Sequence, residues 1–247
     1  MTTNSTKRRL VWFSCGAASA VAAKIAVDEY GAGCEVIYCD TMATEHPDNA
    51  RFFADVERWI GRSITVIRSD KYPSVDAVFE RTRYMSGVKG ARCTVEMKKL
   101  PREAFQRTDD IHVFGYTSDE QKRADSFENQ NPALFVEWLL IDRGVSKGDC
   151  LIALQEAGIA LPAMYALGFD HNNCIGCVKA TSPGYWNRIR RLFPEDFERR
   201  AKQSRLLGVR LARVNNVRIF LDMLPPEADA PDDAIDCGPV CQVPGDK

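Results

Sequence analysis

The sequence predicts an α/β fold, a parallel sheet flanked by helices. Short apolar runs alternate with helical patterns through the first half of the chain, beginning with Arg9–Phe13 and Ala17–Glu29. Hydrophobic residues make up 45% of the 247 residues and charged residues 27%, which is typical of a globule with a sizeable core. Strands that alternate with helices lie parallel in one sheet, and ligands bind beyond the carboxyl ends of such strands.

Four strands and four helices follow from local patterns in the first half. The predicted strands are Arg9–Phe13, Glu35–Cys39, Ser63–Ile67 and Asp110–Phe114. The predicted helices are Ala17–Glu29, Pro47–Ile60, Val75–Arg83 and Lys98–Gln106. The carboxyl ends of the strands then bring together four segments, Ser14–Ser19, Asp40–Glu45, Ser69–Tyr72 and Gly115–Arg123.

The second half is less regular. Leu134–Ile141 is predicted as a strand or a buried helix, and Lys147–Ala157 as an amphipathic helix. Trp186–Arg213 is predicted to be mostly helical and is basic, with nine Arg or Lys residues against three acidic ones. After Pro225 the composition changes to a tail rich in Pro and Asp, which cannot bury a core. We therefore predict an α/β domain over 1–180, a basic helical extension over 181–224 and a flexible tail over 225–247.

Charge and cysteine usage limit the classes of function. The net charge of −1 gives no overall field that would attract nucleic acid or a membrane. No apolar run approaches the length of a membrane span or a signal peptide, so we expect a cytoplasmic protein without membrane partners. Nine cysteines in a reducing compartment favour metal binding or thiol chemistry over disulfides.

Each of three strand ends carries polar residues suited to a ligand. Ser14–Ser19 has small residues and hydroxyls before a helix, which suits phosphate binding or simply a tight turn. Asp40 follows a buried strand directly and is expected to face the ligand crevice, although this cluster would equally suit a helix start before Pro47. Glu120 and Arg123 are three residues apart and could share a face, as a ligand-binding pair or as a surface salt bridge.

The clustered cysteines predict a metal centre. Cys174 and Cys177 form a CxxC pair, which puts two thiolates on one turn. Further thiolates from Cys93 and from Cys237 or Cys241 would complete an iron–sulfur or closed zinc site. The alternatives are that Cys93 is an ordinary buried thiol, that the CxxC is incidental, and that the tail cysteines are disordered. The other four cysteines are predicted to be small core residues, namely Cys15, Cys34, Cys39 and Cys150.

Together these segments resemble the phosphoadenylyl-sulfate (PAPS) and adenylyl-sulfate reductase family of the adenine-nucleotide α-hydrolase-like superfamily. Ser14–Ser19 looks like its SGGxDS-type PP-loop, and Asp40-Thr41 with Glu45-His46-Pro47 resembles its DTGxxFPET strand end. Further similarities lie in Gly115 with Glu120 and Arg123, in Arg92–Pro101, in Leu161–Cys177, and in Asp236-Cys237-Gly238, which is similar to its ECG motif. The chain departs from the family at Ala17 and Ala18 in the PP-loop, at Arg92 where a tandem cysteine is usual, and at Cys241, which has no counterpart there.

The resemblance implies roles for particular residues. An adenine nucleotide, either ATP or a sulfonucleotide, would bind at Ser14, Gly16, Ser19, Asp40, Thr41, Gly115 and Glu120. Lys98 or Lys99, with Arg123, would stabilise phosphate or sulfate groups, and Cys237 would attack sulfur. A [4Fe-4S] cluster, with zinc as the alternative, would sit on Cys93, Cys174, Cys177 and Cys241. A thiol reductant protein and a second copy of the chain are the expected partners.

Two other functions remain open from the sequence. An ATP-pyrophosphatase that activates and thiolates tRNA or DNA would account for the basic stretch and the altered tail. A non-enzymatic, zinc-containing nucleic-acid-binding protein would account for the missing PP-loop aspartate.

Overall fold

The computed structural model describes residues 7–87 and 90–232. The strands are β1 (Arg9–Phe13), β2 (Cys34–Cys39), β3 (Thr65–Ile67), β4 (Ser86–Gly87), β5 (Gly90–Ala91), β6 (Ile111–Phe114), β7 (Phe135–Glu137), β8 (Ala212–Val214) and β9 (Val217–Ile219). The helices are α1 (Ala17–Tyr30), α2 (Asn49–Ile60), α3 (Val75–Thr82), α4 (Arg92–Thr94), α5 (Leu100–Phe105), α6 (Gln121–Gln130), α7 (Leu139–Asp142), α8 (Lys147–Glu156), α9 (Ala163–Ala166), α10 (Pro183–Leu192) and α11 (Pro194–Leu206). A π-helical turn at Val95–Lys99 joins α4 to α5.

The central sheet is parallel throughout and has the order β3-β2-β1-β6-β7. The predicted α/β fold is therefore confirmed. The chain moves outward from β1 through β2 to β3, then crosses back to the other side of β1 with β6 and β7. The strand order reverses between β1 and β6, and at such a reversal the loops leave in opposite directions and open a crevice.

The buried sequence of β1 explains its central place in the sheet. Val11 and Phe13 pack into one core layer with α1, α2 and α8, while Leu10 and Trp12 pack into the layer on the opposite face. A strand with apolar residues on both faces is stable only between two layers of helices. The Trp12 indole Nε1 also donates to Nδ1 of His112 on the neighbouring strand, at 3.0 Å.

A third core lies beside the sheet and is built mostly by the second half of the chain, together with α3 and the segment up to Met97 from the first half. It surrounds Trp186 and includes α3, α10, α11 and Cys177. The single helical stretch predicted over Trp186–Arg213 is divided instead. Helix α10 ends at Leu192, α11 begins at Pro194, and a β8–β9 hairpin follows. Proline has no N–H to donate and is suited to a first helical turn, so Pro194 starts a new helix.

Two other elements differ from their predictions. Leu134–Ile141 is split between β7 and α7. The helix predicted over Lys98–Gln106 begins earlier, at Arg92, and passes through the π-helical turn before Pro101. A proline inside a helix removes one ladder hydrogen bond, and the wider turn just before Pro101 accommodates that loss.

The basic stretch is largely paired within the molecule. Asp76 accepts from Arg200 and pairs with Arg199, while Asp222 forms a bidentate pair with Arg205. Arg188 pairs with Asp232 at 2.8 Å. These contacts support the interpretation of the stretch as a charged helical surface that is compensated internally. Within residues 7–87 and 90–232, no helix is long and apolar enough to cross a membrane.

Candidate functional site

The loop between β1 and α1 lies at the reversal of strand order. Ser19 Oγ accepts from the backbone N of Ser14 at 3.1 Å and donates to the carbonyl of Gly16 at 2.9 Å. Gly16 is the extended N-cap of α1 and offers no side-chain cap. Because the first N–H groups of a helix lack intrahelical acceptors, the start of α1 is suited to an anion. Ser14 and Ser19 therefore shape the loop, and Gly16 leaves the helix end open.

Cys15 is the strained residue of this loop. Its φ of 56° lies in the left-handed region, which a non-glycine side chain rarely adopts. The side chain is fully buried, as predicted for a small core residue. Burial, and secondly the charge of Glu45, raise the pKa of the Cys15 thiol well above its ordinary value. Cys15 therefore stays protonated and shapes the loop without acting as a nucleophile.

Gly115, directly after β6, closes the other side of the crevice. A Cβ atom added there would lie 2.6 Å from both the Cα and the backbone N of Ser19. Those are backbone atoms of the first turn of α1, so they cannot move aside cheaply. Gly115 is thus required for the close approach of the β6 end to the start of α1.

Glu120 and Arg123 form the pair expected from their spacing. The Arg123 guanidinium donates to the carboxylate of Glu120 and lies 4.0 Å from the centroid of the Tyr116 ring. The same carboxylate accepts from the backbone N of Thr117 at 3.1 Å, which completes a capping box. Glu120 therefore holds the β6 loop and orients Arg123 beside the crevice.

The end of β2 supplies a second polar edge. The Asp40 carboxylate accepts from Nε of Arg68 at 2.8 Å and from the backbone N of Met42 at 3.1 Å. Asp40 lines a pocket of about 120 Å³ together with Arg68, Ser69, Tyr72 and Met97. A cavity of comparable volume holds one small ring. Asp40 thus faces an open pocket, as expected from its position after β2.

Thr41 lines that pocket as well, and its hydroxyl takes part in a buried polar cluster. Its hydroxyl donates to Oε1 of Glu45 at 2.6 Å, and Nδ2 of Asn49 donates to Oε2 at 2.7 Å. Burial raises the pKa of the Glu45 carboxyl, although the charge of Lys98 acts in the opposite direction. Thr41 therefore supports the fold of the β2 end, and its hydroxyl is committed to Glu45.

Of the two adjacent lysines, Lys98 is the one directed inward. It is buried, and its charge acts on Glu45, Cys15 and Cys39. Lys99 is half exposed and lies 3.8 Å from Glu103. Glu96, Met97 and Lys98 are buried consecutively within the π-helical turn, a pattern that a regular helix face does not produce.

The CxxC turn lies on the end of β2. The Thr44 hydroxyl is 3.2 Å from the Sγ atom of Cys174, and the backbone N of Ile175 donates to the carbonyl of Thr44 at 2.9 Å. The turn is closed by Tyr185, whose hydroxyl accepts from the backbone N of Cys177 at 2.8 Å. Two cysteines from the second half of the chain are therefore fixed against the strand ends of the first half.

The segment before the CxxC also contacts the β1–α1 loop. Nδ2 of Asn172 donates to the carbonyl of Cys15 at 2.6 Å and to Oδ1 of Asn49 at 2.8 Å. The backbone N of Ala17 donates to the Tyr165 hydroxyl at 3.4 Å. Sequence reasoning missed Asn172, Asn49 and Tyr165, because no local pattern distinguishes a side chain that bonds to a distant loop.

Cys93, a further predicted metal ligand, lies in the same part of the fold as the CxxC turn. The half-buried Cys93 packs against the same core that contains Cys177. Among residues 7–87 and 90–232, no three or more His, Cys, Asp or Glu side chains form a group that could hold a metal ion. Cys237 and Cys241 lie outside the described residues. A thiolate donor set suits iron–sulfur or zinc, and three of the predicted ligands, Cys93, Cys174 and Cys177, lie within the described residues.

The structure is that of an α/β protein in which the strand order reverses between β1 and β6 and a CxxC turn is bonded to the segment after β2. No protein-family model matches the chain, and no curated protein matches it.

Proposed function

We propose that this protein binds an adenine nucleotide and reduces a sulfonucleotide, as do the PAPS and adenylyl-sulfate reductases that its motifs resemble. The observation that carries the proposal is the hydrogen bonding of the CxxC turn to the β2 end through Thr44. It places sulfur ligands beside the part of the sheet where α/β proteins bind nucleotides.

The crevice offers complementary groups for a nucleotide. The start of α1 has no N-cap side chain and suits a phosphate, and Arg123 follows β6. The pocket beside Asp40 suits a ring or a sugar hydroxyl. Lys98 is the lysine that the fold directs toward the strand ends, so we assign it the anion-stabilising role in preference to Lys99.

The proposed chemistry takes place at sulfur. The Cys237 thiolate attacks the sulfur of the sulfonucleotide, forming an S–S bond while the sulfur–oxygen bond to the nucleotide phosphate breaks. The nucleotide leaves with both electrons of that bond. A thiolate of the reductant then attacks Cys237, sulfite departs, and a second reductant thiol resolves the resulting disulfide. Two thiols are oxidised for each sulfite released.

The metal centre belongs to the proposal as a structural and electrostatic element. Cys174 and Cys177 would hold it, with Cys93 and Cys241 as the further ligands expected from the resemblance. When bound, an iron–sulfur cluster supplies a charged sulfur-rich surface that tunes the site electrostatically. Zinc in the same thiolate shell would be structural.

Sulfite release is the direct test. The purified protein, assayed with adenylyl sulfate and with PAPS in the presence of a thiol donor, should release sulfite from one of them. Cys237→Ser should abolish release and retain metal, whereas the matched tail variant Cys241→Ser should lose metal. Absence of sulfite from both nucleotides in the wild-type protein would overturn the proposal. Pyrophosphate release from ATP, stimulated by tRNA or DNA, would instead select the thiolation function.

A further inference from the structure

The pocket after β2, which we call the β2 pocket, has one acid and one cation among its described lining residues, Asp40 and Arg68. They form an ion pair in which Nε of Arg68 lies 2.8 Å from Oδ2 of Asp40. The other carboxylate oxygen of Asp40 accepts from the backbone N of Met42 at 3.1 Å. Both oxygens of the acid therefore already have donors within the protein.

The Arg68 guanidinium is only partly used by this pair. Nε is the atom that bonds to Asp40, and the Arg68 side chain is 70% exposed. In the part of the chain that the structure describes, neither Nη atom of Arg68 has an acceptor. A guanidinium presents its N–H donors in a planar fork that matches the oxygens of a phosphate. Asp40 therefore holds one edge of the fork and leaves the two Nη groups for a ligand.

Two hydroxyls that line the β2 pocket also have a hydrogen to donate. Oγ of Ser69 accepts from the backbone N of Tyr72 at 3.3 Å, and Oγ of Ser74 accepts from the backbone N of Ala77 at 3.1 Å. Within residues 7–87 and 90–232, neither hydroxyl donates a hydrogen bond. Because a serine hydroxyl carries one hydrogen, both hydroxyls can still donate to a ligand.

The surroundings of the pocket add positive charge. Tyr72 lines the pocket, and its ring centroid lies 5.2 Å from Nζ of Lys71 and 5.9 Å from the guanidinium carbon of Arg81. An ionised phosphate only accepts hydrogen bonds, so it matches a pocket whose free side-chain groups are donors. A free sugar hydroxyl carries a hydrogen of its own, for which the pocket offers the already paired Asp40.

We propose that the β2 pocket binds a phosphate on the ribose of the substrate, which makes PAPS preferred over adenylyl sulfate. PAPS carries a phosphate on the 3′ oxygen of its ribose, where adenylyl sulfate has a free hydroxyl. This inference rests on the proposed function, in which one of these two nucleotides is reduced. Arg68 is the residue that determines specificity, and Ser69 and Ser74 add donors. Asp40, expected from the sequence to face the ligand, acts through Arg68 as a positioning residue.

Equilibrium binding tests the subsite without any assay of sulfite. Adenosine 3′,5′-bisphosphate and AMP differ only in the 3′-phosphate, and each is titrated calorimetrically into the full-length protein. We expect the wild-type protein to bind the bisphosphate at least tenfold more tightly than AMP. Arg68→Ala should weaken binding of the bisphosphate at least tenfold and change the affinity for AMP less than threefold. The exposed position of Arg68 means that the variant should fold as the wild-type protein does.

Arg58→Ala is the matched control. The Arg58 side chain is 72% exposed, against 70% for Arg68, and it also pairs with one aspartate, Asp55. It lies on α2 and does not line the pocket. Both affinities should stay within twofold of wild type, which separates a local contact from a general loss of positive charge. Equal affinity of the wild-type protein for the bisphosphate and AMP, or equal losses in Arg68→Ala and Arg58→Ala, would overturn the subsite.

The kinetics separate failure of the subsite from failure of the proposed function. If sulfite is released, kcat/KM should be at least tenfold higher for PAPS than for adenylyl sulfate, and Arg68→Ala should remove this preference mainly by raising the KM for PAPS. Sulfite release from both nucleotides with equal kcat/KM would contradict the subsite and leave the proposed reaction standing. If no sulfite is released but binding of the bisphosphate still depends on Arg68, the proposed reaction is wrong and the subsite stands.

Discussion

The two sides of the candidate site are built in different ways. The crevice between β1 and β6 is made by loops that follow their own strands, so each polar residue is placed by a strand only a few positions away. The CxxC rim is placed by contacts between distant segments, such as the bond between Thr44 and Cys174, which are 130 residues apart. The crevice therefore depends mainly on the sheet, although Asn172 bonds its β1–α1 loop to the segment before the CxxC turn, whereas the rim depends wholly on long-range docking. Mutations in the crevice should therefore change nucleotide affinity, and mutations in the rim should change metal content.

The largest expected effect is on metal content. The double variant Cys174→Ser with Cys177→Ser should lose all bound iron or zinc, because serine hydroxyls are poor ligands for soft metals. Nucleotide affinity should stay within about twofold, since the strands and the Asn172 contact, and not the two thiols, place the crevice residues. Metal analysis and calorimetric titration measure the two properties on one preparation. Retention of stoichiometric metal would show that the ligands lie elsewhere.

The next largest effect concerns how the free energy of unfolding depends on pH, through a histidine in the sheet. Burial, and secondly the charge of Arg102, lower the pKa of His112 from 6.5 to about 4. The folded state disfavours the protonated imidazole of His112. The free energy of unfolding therefore has its full value above pH 6.5 and falls as the pH drops toward 4. The loss over this window is on the order of 3 kcal/mol.

The variant His112→Gln tests this assignment. Glutamine can still accept from Trp12 but does not titrate, so the loss of unfolding free energy between pH 6.5 and 4 should largely disappear. Urea unfolding at a series of pH values measures it. An unchanged pH dependence in the variant would assign the effect to other groups.

A smaller effect is expected at the closest backbone contact of the crevice. Gly115→Ala should destabilise the protein by about 2 kcal/mol, because the new Cβ presses on the backbone of Ser19. It should also weaken nucleotide binding at least tenfold and leave metal content unchanged. The control Gly148→Ala should have the opposite sign, a gain of about 1 kcal/mol. Unchanged nucleotide affinity in Gly115→Ala would separate this contact from the binding site.

The smallest effect is expected on the basic helices. Arg191→Glu with Lys202→Glu reverses two exposed charges that lie on neither side of the site. Nucleotide binding, metal content and stability should all remain as in wild type. Binding of tRNA or duplex DNA, titrated at low salt, should also be unchanged. A salt-dependent loss of nucleic-acid affinity in this variant would favour the nucleic-acid functions.

The crevice could be predicted from the sequence better than the rim. Asp40 and Gly115 were placed by a general rule, that the ends of parallel strands meet at one edge, and the apolar runs of β1 and β2 made those strands recognisable. Glu120 and Arg123 were paired by their helical spacing. Each of these inferences needs only the pattern of residues within a short stretch of sequence.

The remaining features of the site could not be predicted, because they depend on contacts between segments that are far apart in sequence. The π-helical turn changes which lysine faces inward, so the sequence could not favour Lys98 over Lys99. Arginines of the basic stretch form ion pairs with Asp76 and Asp222, which lie outside that stretch. Asn172 and Tyr165 bond to the β1–α1 loop across more than half the chain. Only the packed fold shows these partners.

We propose above all that the β1/β6 crevice binds an adenine nucleotide. Calorimetric titration of adenylyl sulfate, PAPS and ATP into the wild-type protein tests it most directly. We expect saturable binding of at least one of these three nucleotides, with a stoichiometry of one nucleotide per chain. Absence of binding by all three would contradict it.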